Sequence, residues 1–233
     1  MSNESKDRIE NLRTIGDWQR YIASQLHHAE IWFGHGAMNG WEEADLLLSE
    51  LTHIHQRELS SFLSCRLALH ERQQLADWLK LRLEKRIPAA YLVNRAWFAG
   101  FPFYVDDRVL IPRSPIAELI ENKFAPWLKH EPQQILDLCT GSACIAIACA
   151  HAFPQAIVHA SDISTDALAV AEINVNNHEL EEQVALFESD GFKRLPETQY
   201  DLIVTNPPYV DAEDMADLPD EYLHEPELGL AGC

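Results

Sequence analysis

Between residues 133 and 206 short apolar runs of strand length alternate with longer runs of helical length, and this alternation restricts the fold more than any other feature. "QILDLC" leads through the small-residue turn "TGSA" into "CIAIACAHAF"; "AIVHASD" is followed by "STDALAVAEINVNNH"; "VALFESD" and "YDLIVTN" supply two further strands. Strands separated by helices imply a parallel, doubly wound α/β sheet, because parallel neighbours need a long crossover that a helix supplies. Ser164 is placed to cap the second helix. In the last run, Leu202, Ile203 and Val204 suit a buried strand, but Pro207 and Pro208 cannot donate to a ladder. The strand must stop near Asn206 and display that side chain at the carboxyl end of the sheet, where open α/β sheets bind ligands. A strand followed by a tight turn would satisfy the same residues, so the other strand ends have to decide.

Each of those ends carries an acid. Asp137 precedes the turn formed by Cys139, Thr140, Gly141, Ser142 and Ala143. Such a turn lets a ligand approach the backbone amides at a helix N-terminus. It lacks the G-x-G-x-x-G spacing, so a dinucleotide-binding fingerprint is not supported. Asp162 ends the second strand, where a carboxylate accepts from ribose hydroxyls, and Asp190 ends the third. Each acid alone reads equally as a helix cap or a surface group. Three acids and one asparagine at four successive strand ends suit a nucleoside carrying positive charge, and S-adenosylmethionine has that character.

The amino-terminal part has a different texture. Trp18, Ile22, Leu26, Ala29 and Phe33 recur at helical spacing, as do Trp41, Ala44, Leu47, Leu48 and Leu51, then Leu75, Trp78, Leu79 and Leu83. These stripes read as the core of a small helical domain over residues 1–86. Residues 87–113 form aromatic and β-branched runs broken by Gly100 and Pro102, the pattern of a β-hairpin linker. The sheet domain then occupies residues 114–233, opening with a short helix from Ser114 or Pro115 to about Leu128.

Charge narrows the partners. The formal net charge is −19, and residues 87–233 hold only 7 Lys and Arg against 24 Asp and Glu. No Lys or Arg follows Arg194, whereas Asp211, Glu213, Asp214, Asp217, Asp220, Glu221, Glu225 and Glu227 follow "NPPY". That field repels phosphate backbones, argues against direct DNA binding and favours a basic protein partner; a solvated acidic loop is the plainer alternative. Cys139, Cys144 and Cys149 stand in an alanine-rich context without C-x-x-C spacing and read as small buried hydrophobes. His53 and His55 read as helix surface, and no metal site is expected. No apolar run approaches the ~20 residues that cross a bilayer. The polar start "MSNESKDRIENLR" lacks a secretory signal, so a cytoplasmic location is expected.

Taken in order, "IPAAYL", "LIPRSPIAELI", "DLCTGSACIAIA", "ASDIS", "ESD" and "NPPY" resemble the motifs of the class I methyltransferases that modify glutamine side chains. Within that family, "IPRSPIAEL" and "VDAEDMADLPDEYLHEPELGLA" resemble the branch acting on ribosomal protein L-three, while the release-factor branch is the alternative. The resemblance implies a Rossmann-like methyltransferase fold, a helical substrate-recognition domain and S-adenosylmethionine as cofactor. It implies that residues 139–143 surround the cofactor's amino-acid moiety, that Asp162 holds the ribose and that Asp190 lies near the adenine. Asn206, Pro207, Pro208 and Tyr209 would bind the substrate amide. Ala143 stands where the family has glycine, Gly191 where it has an aromatic or leucine, and Cys233 is atypical. The family's sheet continues beyond "LGLA", so the expectation is a sheet incomplete at its carboxyl end, with an inactive cofactor- or partner-binding fragment as a further reading. DNA amino-methyltransferases share the N-P-P-Y element, but the acidic surface disfavours them.

Overall fold

The computed structural model describes residues 10–232; the polar opening of the chain and Cys233 lie outside the described residues. The described chain divides into two compact units, one running to Val93 and including Pro219–Glu221, the other comprising Asn94–Leu218 and Tyr222 onward.

The first unit is helical. Helix α1 (Ile15–His28) starts with a capping box: the Thr14 hydroxyl accepts from the Asp17 amide at 3.1 Å, and Asp17 accepts from the Thr14 amide at 2.9 Å. The Thr14 and Arg13 amides, both donating to it, hold the Asp17 carboxyl below its usual range. Its buried face is Ile15, Trp18, Ile22, Ala23 and Leu26, the spacing of one helical stripe. Helix α2 (Gly40–Thr52) is capped by Asn39, and its first residue explains its own identity: a Cβ at Gly40 would lie 3.0 Å from the Ala23 carbonyl. Helix α3 (Leu69–Lys85) buries Leu75, Leu79 and, unusually, Arg82. A short helix α4 (Ala89–Leu92) ends the run.

Two expectations for this region are corrected. His53 and His55 do not lie on a helix surface. His53 adopts a left-handed backbone (φ 57°) that closes α2, and His55 caps the 3-10 helix Gln56–Phe62 by accepting from the Arg57 amide.

The second unit opens with a hairpin, β1 (Ala96–Phe98) antiparallel to β2 (Phe101–Phe103). Its two turn residues, Ala99 and Gly100, both have positive φ, the twist that joins adjacent strands tightly. Helix α5 (Ile116–Glu121) stops short of the expected Leu128. Asn122 closes it, Lys123 and Phe124 turn left-handed, and Pro126 disfavours helical backbone at the residue before it.

The sheet follows the expected alternation: β3 (Gln134–Leu138), α6 (Cys144–Ala152), β4 (Ile157–Asp162), α7 (Thr165–Asn177), β5 (Val184–Glu188) and β6 (Leu202–Thr205). The order is β5-β4-β3-β6, with every pair parallel. Helix α7 is capped by Ser164, whose hydroxyl accepts from the Ala167 amide. Ile135, Ala146, Ile147, Cys149, Val158, Ala160 and Ala171, all essentially inaccessible, form the core between sheet and helices. Among the described residues, β6 pairs only with β3. Beyond it come short helices α8 (Ala212–Ala216) and α9 (Glu227–Leu230), separated by the 3-10 helix Asp220–His224. No described helix is long and apolar enough to cross a membrane.

Candidate active site

Strand β3 delivers Asp137 to the carboxyl edge of the sheet, level with Ala160 of β4 and Val204 of β6. The side chain is completely buried. Its Oδ2 accepts from the Thr140 hydroxyl (2.6 Å) and the Ala146 amide (3.0 Å), while Oδ1 has no partner. A buried carboxylate left half satisfied resists ionisation. Burial, with a smaller contribution from the Asp162 charge, pushes Asp137 up to about 7. The Ser161 hydroxyl is likewise buried without a partner.

The turn after β3 alternates in hand. Cys139, Gly141 and Ala143 have φ of 60°, 55° and 63°. Gly141 takes this conformation without strain, whereas Ala143 holds it while fully buried as the N-cap of α6. Asp162, at the end of β4, fixes the turn: its Oδ2 accepts from the Gly141 amide (2.9 Å) and its Oδ1 from the Ser164 amide (3.0 Å). Both oxygens keep further lone pairs for a ligand's hydroxyls.

A second anchor escaped the sequence reading. The Asn174 side chain donates to the Ser142 carbonyl (2.9 Å) and the Tyr104 carbonyl (3.0 Å), and accepts from the Tyr104 amide (2.7 Å). Asn174 is fully buried on the α7 face otherwise made by Ala167, Val170, Ala171 and Val175. A polar residue at an apolar stripe position was the available signal, because a buried amide must find partners.

The cysteines divide. Cys144 and Cys149 are buried in α6, and burial pushes the Cys144 thiol up to about 12 and the Cys149 thiol higher still. Cys139 corrects the expectation of a buried hydrophobe: it is exposed, because its left-handed backbone sits in the turn at the open sheet edge. Its thiol is nonetheless raised, by partial burial first and then by the charges of Asp162 and Asp137.

The register of β6 against β3 pairs Thr205 with Leu138, and the Thr205 hydroxyl donates to the Leu138 carbonyl at 2.8 Å. This sets Asn206 next to the β3 turn. Asn206 is half-buried, and its side chain makes no hydrogen bond among the described residues. Pro207 is exposed, Pro208 half-buried, and Tyr209 is 77% exposed. Asp190 follows β5 at the opposite side of the sheet, exposed and paired with Lys193. Gly191 has φ 57°, a backbone that leucine or an aromatic would adopt only with strain. The structure thus gathers Asp137, the turn, Asp162 and Asn206 at the carboxyl ends of three adjacent strands, β4, β3 and β6. Asp190 lies three strand spacings from Asn206, about 14 Å at ~4.8 Å per strand, so one molecule touching both ends must be extended.

Comparison with known proteins identifies the lineage. Residues 121–225 match the family model described as "Methyltransferase small domain". A ribosomal protein uL3 glutamine methyltransferase from Bordetella pertussis is 45% identical over 235 aligned positions, covering 100% of this chain and 78% of that protein. The chain belongs to the uL3 glutamine methyltransferase family. A protein of the same name from Francisella tularensis is 44% identical, covering 97% of this chain and 73% of its own length. Among solved structures, a ribosomal protein L11 methylase from Lactobacillus delbrueckii subsp. bulgaricus is 26% identical with a TM-score of 0.35, over 52% of this chain and 59% of that one.

Methyltransferases of this fold class generally use S-adenosylmethionine, and the site's chemistry fits such a cation. No Lys or Arg occurs between Lys129 and Lys193, so Asp137, Asp162 and the first turn have no competing cation in their own segment, whereas Asp190 beyond β5 is paired with Lys193. The partnerless Oδ1 of Asp137 is an acceptor of the kind a positively charged group would satisfy.

Proposed function

We propose that this chain transfers a methyl group from S-adenosylmethionine to the side-chain amide nitrogen of a glutamine in ribosomal protein uL3. The observation that carries the reading is the placement of Asn206, unpartnered, at the end of β6 beside the β3 turn, in a chain 45% identical to a uL3 glutamine methyltransferase.

A glutamine nitrogen is a weak nucleophile because its lone pair is delocalised into the carbonyl, as in a peptide. The residues from Asn206 to Pro208 suit that substrate. The Asn206 carbonyl oxygen and the Pro207 backbone carbonyl are acceptors for the two amide hydrogens, and neither proline has an N–H to compete. Holding both hydrogens fixes the direction of the nitrogen. Tyr209 walls the same side with an aromatic face suited to a cation. When bound, S-adenosylmethionine supplies an electrophilic methyl carried on a sulfonium. Asp137 and the turn residues would hold its amino-acid moiety, Asp162 its ribose, and Asp190 would lie near the adenine. No strong base is required before transfer, since the amide nitrogen becomes cationic on gaining the methyl group and is then acidic enough to release one proton to water. Orientation therefore supplies most of the rate, and good orientation is worth ~7–11 kcal/mol.

The helical part of the chain, residues 1–86, serves in this reading as the substrate-recognition domain, and the acidic character of residues 87–233 favours a basic ribosomal protein in the cytoplasm. The test is radiolabelled methyl transfer to purified uL3 and to a peptide-chain release factor in parallel, with Asn206→Ala beside the wild type. Label on uL3, lost in Asn206→Ala while calorimetric cofactor binding persists, is expected. Label on the release factor alone would move the chain to the other branch, and equal loss of turnover and cofactor binding would assign Asn206 to the cofactor.

A further inference from the structure

The chain leaving Tyr209 is held by a second part of the same unit. The Val210 amide donates to the Leu230 carbonyl at 2.9 Å, the Gly232 amide donates to the Val210 carbonyl at 2.8 Å, and Val210 and Ala231 form a parallel bridge. Gly232 packs against the two residues before Val210: a Cβ built on it would lie 3.4 Å from the Tyr209 Cα and 3.5 Å from the Pro208 carbonyl oxygen. The backbone of Pro208 and Tyr209 is thus fixed on one side by β6 and on the other by residues 230–232.

The segment leading to those residues is pegged by an ion pair between Glu225 and Arg113, which is remote in sequence. The Glu225 side chain has no exposure. One oxygen accepts from the Ile111 amide (3.0 Å) and from Arg113 Nη1 (2.5 Å), and the other from Arg113 Nη2 (2.5 Å). Arg113 Nη1 also donates to the Ile111 carbonyl at 3.2 Å, and the guanidinium lies 5.1 Å from the centre of the Tyr222 ring. Immediately before Ile111, the Leu110 side chain meets Gly229 so closely that an added Cβ would sit 3.0 Å from Leu110 Cγ. Leu110, Ile111 and Arg113 therefore hold residues 222–230 at both ends. A fork-to-fork pair fixes direction as well as distance, which a point charge does not.

We infer that Arg113 and Glu225 are positioning residues for the reaction: through residues 230–232 and Val210 they set where Pro208 and Tyr209 stand beside the nitrogen that Asn206 holds. This rests on the function proposed above. It asks more of the acidic segment than a solvated loop or an attraction for basic proteins, since Glu225 is turned inward and spent on an internal partner.

The test uses the full chain with Glu225→Gln, which puts an amide donor against the guanidinium, and Arg113→Lys, which keeps the charge and loses the fork. Backbone hydrogen exchange at Val210 and Gly232 is expected to accelerate in both variants, more in Glu225→Gln, while β3 and β4 amides stay protected. Turnover of uL3 should fall about tenfold or more in Glu225→Gln and less in Arg113→Lys, with the cofactor dissociation constant within about twofold of wild type, because misplacement is paid in orientation. A purely structural pair would lower turnover and cofactor binding together. Unchanged exchange at Val210 in the folded Arg113→Lys protein overturns the clamp, and accelerated exchange with wild-type turnover overturns its positioning role. If Glu225→Gln does not fold, Arg113→Lys alone decides both. A wild-type chain that methylates neither protein would refute the proposed function, and the exchange data would still judge the clamp.

Discussion

The core of the helical unit and the carboxyl edge of the sheet both bury carboxylates, and they treat them in opposite ways. In the helical unit Arg82, 1% exposed, is surrounded by acceptors: Glu43 at 2.7 and 3.2 Å, Glu221 at 3.2 Å and the Trp32 carbonyl at 2.9 Å. Glu221 also accepts from the Trp32 amide, so both carboxylates have several donors. In the sheet unit Asp137 is just as buried but has no cation among its hydrogen-bond partners, and one of its oxygens has no donor at all. Desolvation costs the same in both places, and only in the first do neighbouring charges offset it. The difference separates architecture from site. A satisfied buried charge holds a fold together, whereas an unsatisfied one destabilises it until something binds.

The largest effect should come from breaking the satisfied network. Arg82→Met leaves Glu43 buried without its cation and Glu221 with only the longer contact to Arg86 (3.8 Å), and is expected to destabilise the protein by ~3–5 kcal/mol in urea denaturation. A loss below ~1 kcal/mol would mean the two glutamates relax into water, and the contrast with Asp137 would collapse.

The unsatisfied carboxylate should respond in the opposite sense. Its folded value of about 7 lies well above the unfolded ~3.9. Below about pH 4 both states hold the proton and no stability is lost. As pH rises toward about 7 the unfolded chain releases its proton first, so stability falls, by up to about 4 kcal/mol once the folded group has titrated. Asp137→Asn should remove that slope, so its advantage over wild type grows between about pH 4 and 7 and levels off above that. The same variant should bind S-adenosylmethionine about tenfold more weakly or worse, because a charge-assisted contact is lost. Parallel pH profiles for variant and wild type would make Asp137 an ordinary core residue.

The smallest effect sharpens the comparison within the turn. Ala143→Gly relieves a left-handed backbone costing ~1–2 kcal/mol but gives up one buried methyl worth ~0.8 kcal/mol. Thermal denaturation should show a net gain under about 1 kcal/mol. A clear loss instead would show that the methyl's packing dominates.

Much of this molecule is local and was therefore legible. Periodicity placed the strands from Gln134 to Thr205, and the missing N–H groups of Pro207 and Pro208 ended the last strand close to where the structure ends it. Ser164 announced its helix because a cap interacts within three residues of itself. The hairpin at Ala99 and Gly100 was visible for the same reason. The α5 helix was drawn too long because a proline and two left-handed residues outweighed its apolar pattern.

The sequence by itself determined which residues stand at strand ends, since alternation and turn chemistry are set by near neighbours. Only the tertiary structure decided what those residues can do. That Asp137 lacks a cation, that Asn174 ties the turn to Tyr104, that Cys139 faces outward and that Glu221 and Glu225 turn inward all depend on partners up to 189 positions away. An acidic run such as that following Tyr209 reads the same whether its glutamates are solvated or buried. Burial and pairing arise when distant segments meet, and a linear pattern carries neither.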